Sequence, residues 1–176
     1  VNLSQFRVRR ATDEPGLAMA LAQVLLDCVE GGASVSFMWP LSEQHALDFW
    51  RGVLASALRG ERIVLLAEEL SNGDIVGTVQ VVYATPDNQP HRADIAKMLV
   101  HRRARRHGLG AALLQAAEAA ARAAGKTLLV LDTVSGGDGE RLYSRLGWQR
   151  VGVIPGYALW PRGGLCDTTY YYKALT

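Results

Sequence analysis

The stretch Leu99-Val100-His101-Arg102-Arg103-Ala104-Arg105-Arg106-His107-Gly108-Leu109-Gly110 decides the reading of this chain. It runs from an apolar segment through a cluster of cations into an alanine-rich segment. Gly108 and Gly110 let the backbone turn tightly and bring its N–H groups close to a ligand. The helix that follows adds unpaired N–H groups and the positive end of its dipole. Four arginines within five positions supply countercharge, and the guanidinium fork suits phosphate oxygens. The pattern is an anion cradle, and diphosphate is its natural occupant.

Other phosphate loops are excluded letter by letter. A dinucleotide fingerprint needs a third glycine where this chain has Leu113, and a Walker loop ends in Gly-Lys-Ser/Thr, which is absent here. A solvated basic loop with a glycine turn is the plainer alternative.

On the C-terminal side, Leu109, Ala112, Leu113, Ala116, Ala117, Ala120, Ala121 and Ala124 recur with helical period, and Gly125 terminates them. Leu128–Leu131 is apolar without alternation, as in a strand covered on both faces, and Asp132-Thr133 ends it. With the strand Ala93–Val100 this makes a right-handed crossover, whose ligand edge gathers the Arg105 loop, Asp132 and Thr133. Gly139–Leu146 reads as a short helix closed by Gly147, followed by strands around Trp148–Ile154 and Thr168–Lys173.

On the N-terminal side, Ile75–Tyr83 returns antiparallel to Ile63–Ala67 across the turn Ser71-Asn72-Gly73-Asp74. Ser42 caps a helix with the stripe Ala46, Trp50, Val53, Ala57, stopped by Gly60. Asp13 is read as the cap of an earlier helix, with Pro15 in its first turn and a face of Leu17, Leu21, Val24, Leu25 and Cys28. The linker Ala33–Pro40 is unusually apolar, as suits either a connector tucked on the core or a substrate-lining loop. Phe6–Arg9 alternates as an edge strand. Together these elements predict an α/β domain with a mixed sheet.

At 176 residues, 49% hydrophobic and 20% charged, the chain reads as a single globular domain over 1–176. A net charge of +2 is too small to indicate nucleic acid, and the basicity is confined to His101–His107 without interleaved aromatic residues. Cys28 and Cys166 lack ligand spacing and predict reduced thiols in a cytoplasmic protein. His45, His91, His101 and His107 form no metal pattern, so no metal is expected. Acidic residues at Asp13, Glu14, Asp27 and Glu30 do not suit a signal peptide, and no apolar run is long enough to cross a bilayer.

The element order, Arg105-x-x-Gly108-x-Gly110 and Leu142-Tyr143-x-x-Leu146-Gly147-Trp148 together resemble the GCN5-related N-acetyltransferase (GNAT) family over essentially the whole chain. The resemblance implies a mixed, mostly antiparallel sheet of six to seven strands flanked by about four helices, with acetyl-CoA as cosubstrate. It assigns the pyrophosphate to Arg105, Arg106, His107, Gly108, Leu109, Gly110 and Ala111, and the pantetheine to the backbone of Met98, Leu99 and Val100. The Val100 N–H would face the thioester oxygen and stabilise the developing oxyanion. Tyr143 occupies the position of the family's usual donor to the leaving thiolate, although a lone tyrosine in a short helix also reads as packing. Where many members carry Asn before this tyrosine, Gly136-Gly137-Asp138-Gly139 implies a looser loop.

Gly31-Gly32-Ala33-Ser34-Val35, Arg92-Ala93-Asp94, Leu131-Asp132-Thr133 and Pro155-Gly156-Tyr157 resemble the tabtoxin-resistance type of acetyltransferase, which acetylates the amine of a β-lactam toxin. This implies Asp94 and Asp132 as base and substrate anchor. A surface carboxylate and a strand-end residue are the plainer readings of the two. Direct attack needs a neutral amine, whereas a free alkyl ammonium near a pKa of about 10.4 is mostly protonated, and a carboxylate near about 3.9 is a poor base without burial or a water relay. The expected reaction is acetyl transfer to an amine of a small molecule, an antibiotic, toxin or amino-acid-like compound, in a ternary complex. A protein or peptide acceptor, and a non-catalytic module binding acyl-CoA or nucleic acid, are the alternatives. No nucleic acid and no membrane is expected as partner. The chain is expected to be a monomer, or a homodimer through Val151–Ile154 and Tyr170–Lys173.

Overall fold

The computed structural model describes residues 3–175. The strands β1 (Phe6–Arg10), β2 (Arg62–Glu69), β3 (Ile75–Tyr83), β4 (Arg92–Val100), β5 (Leu128–Val134), β6 (Gln149–Leu159) and β7 (Leu165–Ala174) form one sheet in the order β1-β2-β3-β4-β5-β7-β6. Every neighbouring pair is antiparallel except β4 with β5. The helices are α1 (Leu17–Glu30), α2 (Glu43–Leu58), α3 (Leu109–Ala123) and α4 (Asp138–Arg145). The mixed α/β fold with four helices is as the sequence predicts.

Two apolar layers sandwich the sheet. One joins Leu109, Leu113, Leu114, Ala117 and Ala121 of α3, with Tyr143 and Trp148, to the strands. The alanines of α3 let it lie close across β2, β3 and β4. The other layer packs α1 and α2 around Leu21, Leu25 and the fully buried Trp50 against Val64, Leu66 and Leu99.

Ser42 caps α2, accepting a hydrogen bond from the His45 N–H at 3.2 Å. The cap expected at Asp13 is a correction. Gly16, at φ 79°, turns the chain into α1, which starts at Leu17 without a side-chain cap, so Asp13 and Pro15 lie in the preceding turn. A second correction lengthens β5, because Asp132 and Thr133 do not end the strand but pair with Tyr170 and Thr169 of β7.

The parallel seam between β4 and β5 is short. Only Arg92↔Leu128, Ala93↔Leu129 and Asp94↔Val130 are in register. Beyond Asp94, β4 stays with β3 and carries an irregularity at Lys97-Met98, with Lys97 at φ 48°. The bulge turns the strand, so that Leu99 joins the α1–α2 layer whereas Ala93 and Ile95 belong to the α3 layer.

Candidate active site

The slot left by β4 and β5 opens on both faces of the sheet. On the α3 face its mouth is the loop from Arg102 to Gly108. His101 turns its N–H to Val76 O of β3 (2.8 Å), after which Arg102–Ala104 makes one 3-10 turn. Arg106 and Gly108 then take left-handed backbone at φ 68° and 84°. This alternation fans successive amides toward one side, the geometry of an anion-binding nest. Among the described residues, the backbone N–H groups of Arg106, His107, Gly108, Leu109, Gly110 and Ala111 have no acceptor, and bonding resumes with Ala112 N–H to Gly108 O at 3.1 Å. These donors, at the N-terminus of α3, fit a diphosphate.

The side chains of the loop divide differently from the sequence reading. Arg102 pairs with Asp27 (2.8 Å) and Glu30 of α1, and Arg103 pairs with Glu69 and with Asp74 (2.8 Å) at the β2–β3 turn. These two are tethers rather than countercharge, because the acidic residues of neighbouring elements reach them first. The Arg105 Nε donates to Val100 O at 3.1 Å, satisfying a carbonyl that the missing β5 partner leaves open. His107 turns Nδ1 to Ala104 O at 3.3 Å and packs on Phe6. Leu109 is buried, so it offers only its backbone. Arg106 is exposed and has no carboxylate partner among the described residues, so its charge is free for an anion from outside the chain.

Of the three expected pantetheine positions, Leu99 is the exception. The Leu99 carbonyl faces Gly77 of β3 so closely that a Cβ there would come within 3.0 Å of it. Its side chain is core. By the two-residue alternation of a strand, Val100 turns its backbone to the slot. Met98 lies half-buried beside it.

The opposite face carries the carboxylates. Ala93, Ile95, Leu129 and Leu131 point into the α3 layer, so Asp94 and Asp132 between and beyond them point the other way. The Asp132 carboxylate accepts from Thr168 Oγ1 at 2.9 Å. Asp94 pairs with Arg92. Burial raises the Asp94 carboxyl above the usual range, and the Asp132 charge adds to this while Arg92 opposes it. The structure thus brings the two aspartates together.

Tyr143 of α4 is buried against Trp148 and Tyr171, with centroids 6.0 and 5.8 Å away. Burial, and after it the charge of Asp132, pushes its phenol up to about 12. The hydroxyl therefore stays protonated at neutral pH. The surroundings make it a weaker acid than free tyrosine, the reverse of the help that full proton transfer would need. The glycine loop before it is not loose. Gly136 N–H is held by Glu140 (2.8 Å), and a Cβ at Gly139 would meet Thr133 Oγ1 at 2.6 Å, so glycine is needed for close approach.

Over the carboxylate face, the α1–α2 linker meets the β6–β7 hairpin. Ser34 Oγ donates to Leu159 O (3.0 Å), Trp39 N–H to Pro161 O (2.8 Å), and Arg162 Nη1 to Glu30 O (2.9 Å). The Arg162 guanidinium also stacks on the Trp39 ring at 4.5 Å. The sequence left the linker open between connector and site wall; Ala33, Val35 and Phe37 pack against the α1–α2 layer, as a connector does. Sequence reasoning missed Lys97 on this face, and the Tyr157–Tyr170 pair with hydroxyls 3.0 Å apart. A lysine between the apolar residues Ala96 and Met98 of a strand was the available signal for the first. Nothing local marked the second, which depends on the β6–β7 register. One cleft of about 350 Å³ lies between α1 and Trp39, bordered by Asp27, Glu30 and His101 at the start of the phosphate loop, and another lies beside Leu70.

A sheet that splays beside an anion nest, with carboxylates across the slot, defines an acyl-CoA-type transferase architecture. A profile of the acetyltransferase (GNAT) family matches residues 20–148, and the chain belongs to that family. An uncharacterised N-acetyltransferase from the hisH-hisA intergenic region of Azospirillum brasilense is 33% identical over 108 residues, covering 60% of this chain and 61% of that protein. The match thus spans less than two thirds of that relative. Among solved structures, the ribosomal-protein-alanine N-acetyltransferase of Brucella melitensis superposes with a TM-score of 0.78 at 22% identity, over 96% of this chain and 99% of that one. The yncA protein of Salmonella typhimurium, solved with its cofactor acetyl-CoA, gives 0.77 at 21% identity over 98% and 95%. At such identities these two establish the fold.

Proposed function

We propose that the chain, acting as one acetyltransferase domain over 1–176, transfers an acetyl group from acetyl-CoA to the amine of a small molecule by direct attack in a ternary complex. The observation that carries this reading is the run of unpartnered N–H groups from Arg106 to Ala111, set at the end of a slot that leads through the sheet to Asp94 and Asp132. Arg106 and the nest hold the diphosphate, and the open edge of β4 at Met98 and Val100 orients the chain of the cosubstrate. Acetyl-CoA supplies the acetyl group as an activated thioester. Asp94, raised toward neutrality by burial, takes the proton of the amine, and Asp132, fixed by Thr168, anchors the acceptor. The Tyr143 hydroxyl donates to the departing sulfur. A thiol near about 8.5 is the stronger acid of the two, so this hydrogen bond stabilises thiolate without surrendering its proton. The linker and hairpin clamped over the face favour a small acceptor over a peptide, and a toxin or antibiotic amine, as the tabtoxin-resistance resemblance implies, falls within this class.

The test is a calorimetric titration with acetyl-CoA, followed by CoA-release assays on a panel of small amines. Saturable binding that weakens about tenfold in Arg106→Gln, with CoA release on some amine, is expected. Absence of acetyl-CoA binding by the folded protein overturns the reading.

A further inference from the structure

Among the described residues, three non-glycine residues hold left-handed backbone, namely Ser36, Lys97 and Arg106, at φ 77°, 48° and 68°. Arg106 belongs to the anion nest. The other two meet each other, since Lys97 Nζ donates to Ser36 Oγ at 3.0 Å. Such backbone in residues with a Cβ persists only where the surroundings impose it, and it gathers at ligand clamps. Here the β4 bulge aims Lys97 away from the core, and the apolar linker aims Ser36 back at it.

The environment of Lys97 is unusual for a lysine. Its ammonium lies near the rings of Phe37 and Phe49, with centroids 5.9 and 5.8 Å away, and burial lowers its pKa. It makes no ion pair among the described residues, and of its three donors one is used. Asp132 is near enough to favour the charge, yet that carboxylate is engaged by Thr168. A half-desolvated cation with spare donors is stabilised best by an anion from outside the chain. It stands on the acceptor face, where Asp94 and Asp132 supply the opposite charge at the slot.

We propose that Lys97, with Ser36, binds a carboxylate of the acceptor, so that the acceptor is a small amino acid or amino-acid-like zwitterion. Its amine lies toward Asp94 and Asp132, and its carboxylate toward Lys97. The two ends of the ligand then meet opposite charges, and Phe37 and Phe49 form an apolar wall beside the carboxylate end. This assignment rests on the N-acetyltransferase reading above and deepens it by naming the acceptor class.

The test uses the full chain loaded with acetyl-CoA and measures CoA release with α-, β- and γ-amino acids, each beside its carboxamide. In the parent, the best amino acid is expected to exceed its carboxamide in kcat/KM by about tenfold or more, from one lost charge-assisted contact. In Lys97→Met that ratio falls toward one, and Lys97→Arg, which keeps the charge, restores part of it. A parent that turns over carboxamides as well as amino acids overturns the assignment while leaving the N-acetyltransferase reading intact, and this holds even where the Lys97 variants fail to fold. A ratio unchanged in a folded Lys97→Met also overturns it. No turnover of either series by protein that releases CoA on another small amine overturns the assignment alone, and no turnover of any amine by protein that binds acetyl-CoA removes both readings.

Discussion

Arg106 and Gly108 share left-handed backbone and answer differently to substitution. Arg106→Gly releases a steric cost of about 1–2 kcal/mol but adds chain entropy of about 0.5–1 kcal/mol, so urea denaturation should show stability unchanged or raised by up to about 1.5 kcal/mol. The same variant should bind acetyl-CoA about tenfold more weakly in calorimetry, through the lost countercharge. Gly108→Ala places a Cβ where the backbone disfavours it, and should lose about 1–2 kcal/mol together with cosubstrate binding. Tyr143→Phe removes a donor and no volume. A fall in kcat of about a hundredfold with little change in KM for acetyl-CoA is expected in steady-state kinetics, and a raised KM with kcat unchanged would assign the hydroxyl to binding. As the proposed base, Asp94 is expected to set the acid limb of the pH–rate profile. Its carboxyl is raised by burial, so activity should fade as pH drops at a value above the ordinary carboxylate range near about 3.9, and Arg92→Met should move that limb higher still. The same raised pKa has the opposite sign for stability. The group favours the fold below its unfolded value, and this is lost as pH rises through the folded value, so Asp94→Asn should flatten that part of the stability profile.

At the scale of elements, the phosphate loop is held by its neighbours. Asp27 of α1 accepts from both the Arg102 backbone N–H and its guanidinium, at 2.8 Å each. Burial works against the Asp27 charge, yet these bonds prevail and hold its carboxyl below the usual range. Asp27→Ala should cost about 1.5–3 kcal/mol at neutral pH and weaken acetyl-CoA binding without touching the nest. The penalty is present above the unfolded pKa and vanishes as pH falls through the folded one, which a denaturation series from pH 7 to acid will read. The loop's position and helix were legible in Arg105-x-x-Gly108-x-Gly110, because glycine and helix-start chemistry are local. The division of its arginines was not, because Asp27, Glu30, Glu69 and Asp74 arrive from other elements. Gly16, in place of Asp13, shows the same limit at α1. A left-handed entry satisfies the turn and leaves the expected cap idle. Lys97 was hidden because a bulge breaks the strict alternation by which a strand is read.

At the scale of the molecule, the order of elements along the chain and the crossing of β4, α3 and β5 followed from hydrophobic pattern and turn residues. What gathers at the slot followed from register, which no local pattern encodes. Asp94 and Asp132 meet because β4 pairs with β5, and Tyr157 and Tyr170, and the linker and hairpin, meet because β5 pairs with β7 and β7 with β6. If acetyl-CoA bridges that slot, it should stabilise the fold by about 2.7 kcal/mol at a hundredfold excess over Kd, measurable as a concentration-dependent midpoint.

The short seam of three residue pairs between β4 and β5 has a mechanical meaning. It divides the sheet into two leaves, β1-β2-β3-β4 and β5-β7-β6, joined along one corner as by the spine of a half-open book. A ligand lying in the gutter would act as a binding thread, lending its own polar groups where the pages fail to touch. Opening of the smaller leaf is then governed by cosubstrate occupancy, and amide exchange along β5 should slow on loading far more than exchange along β2.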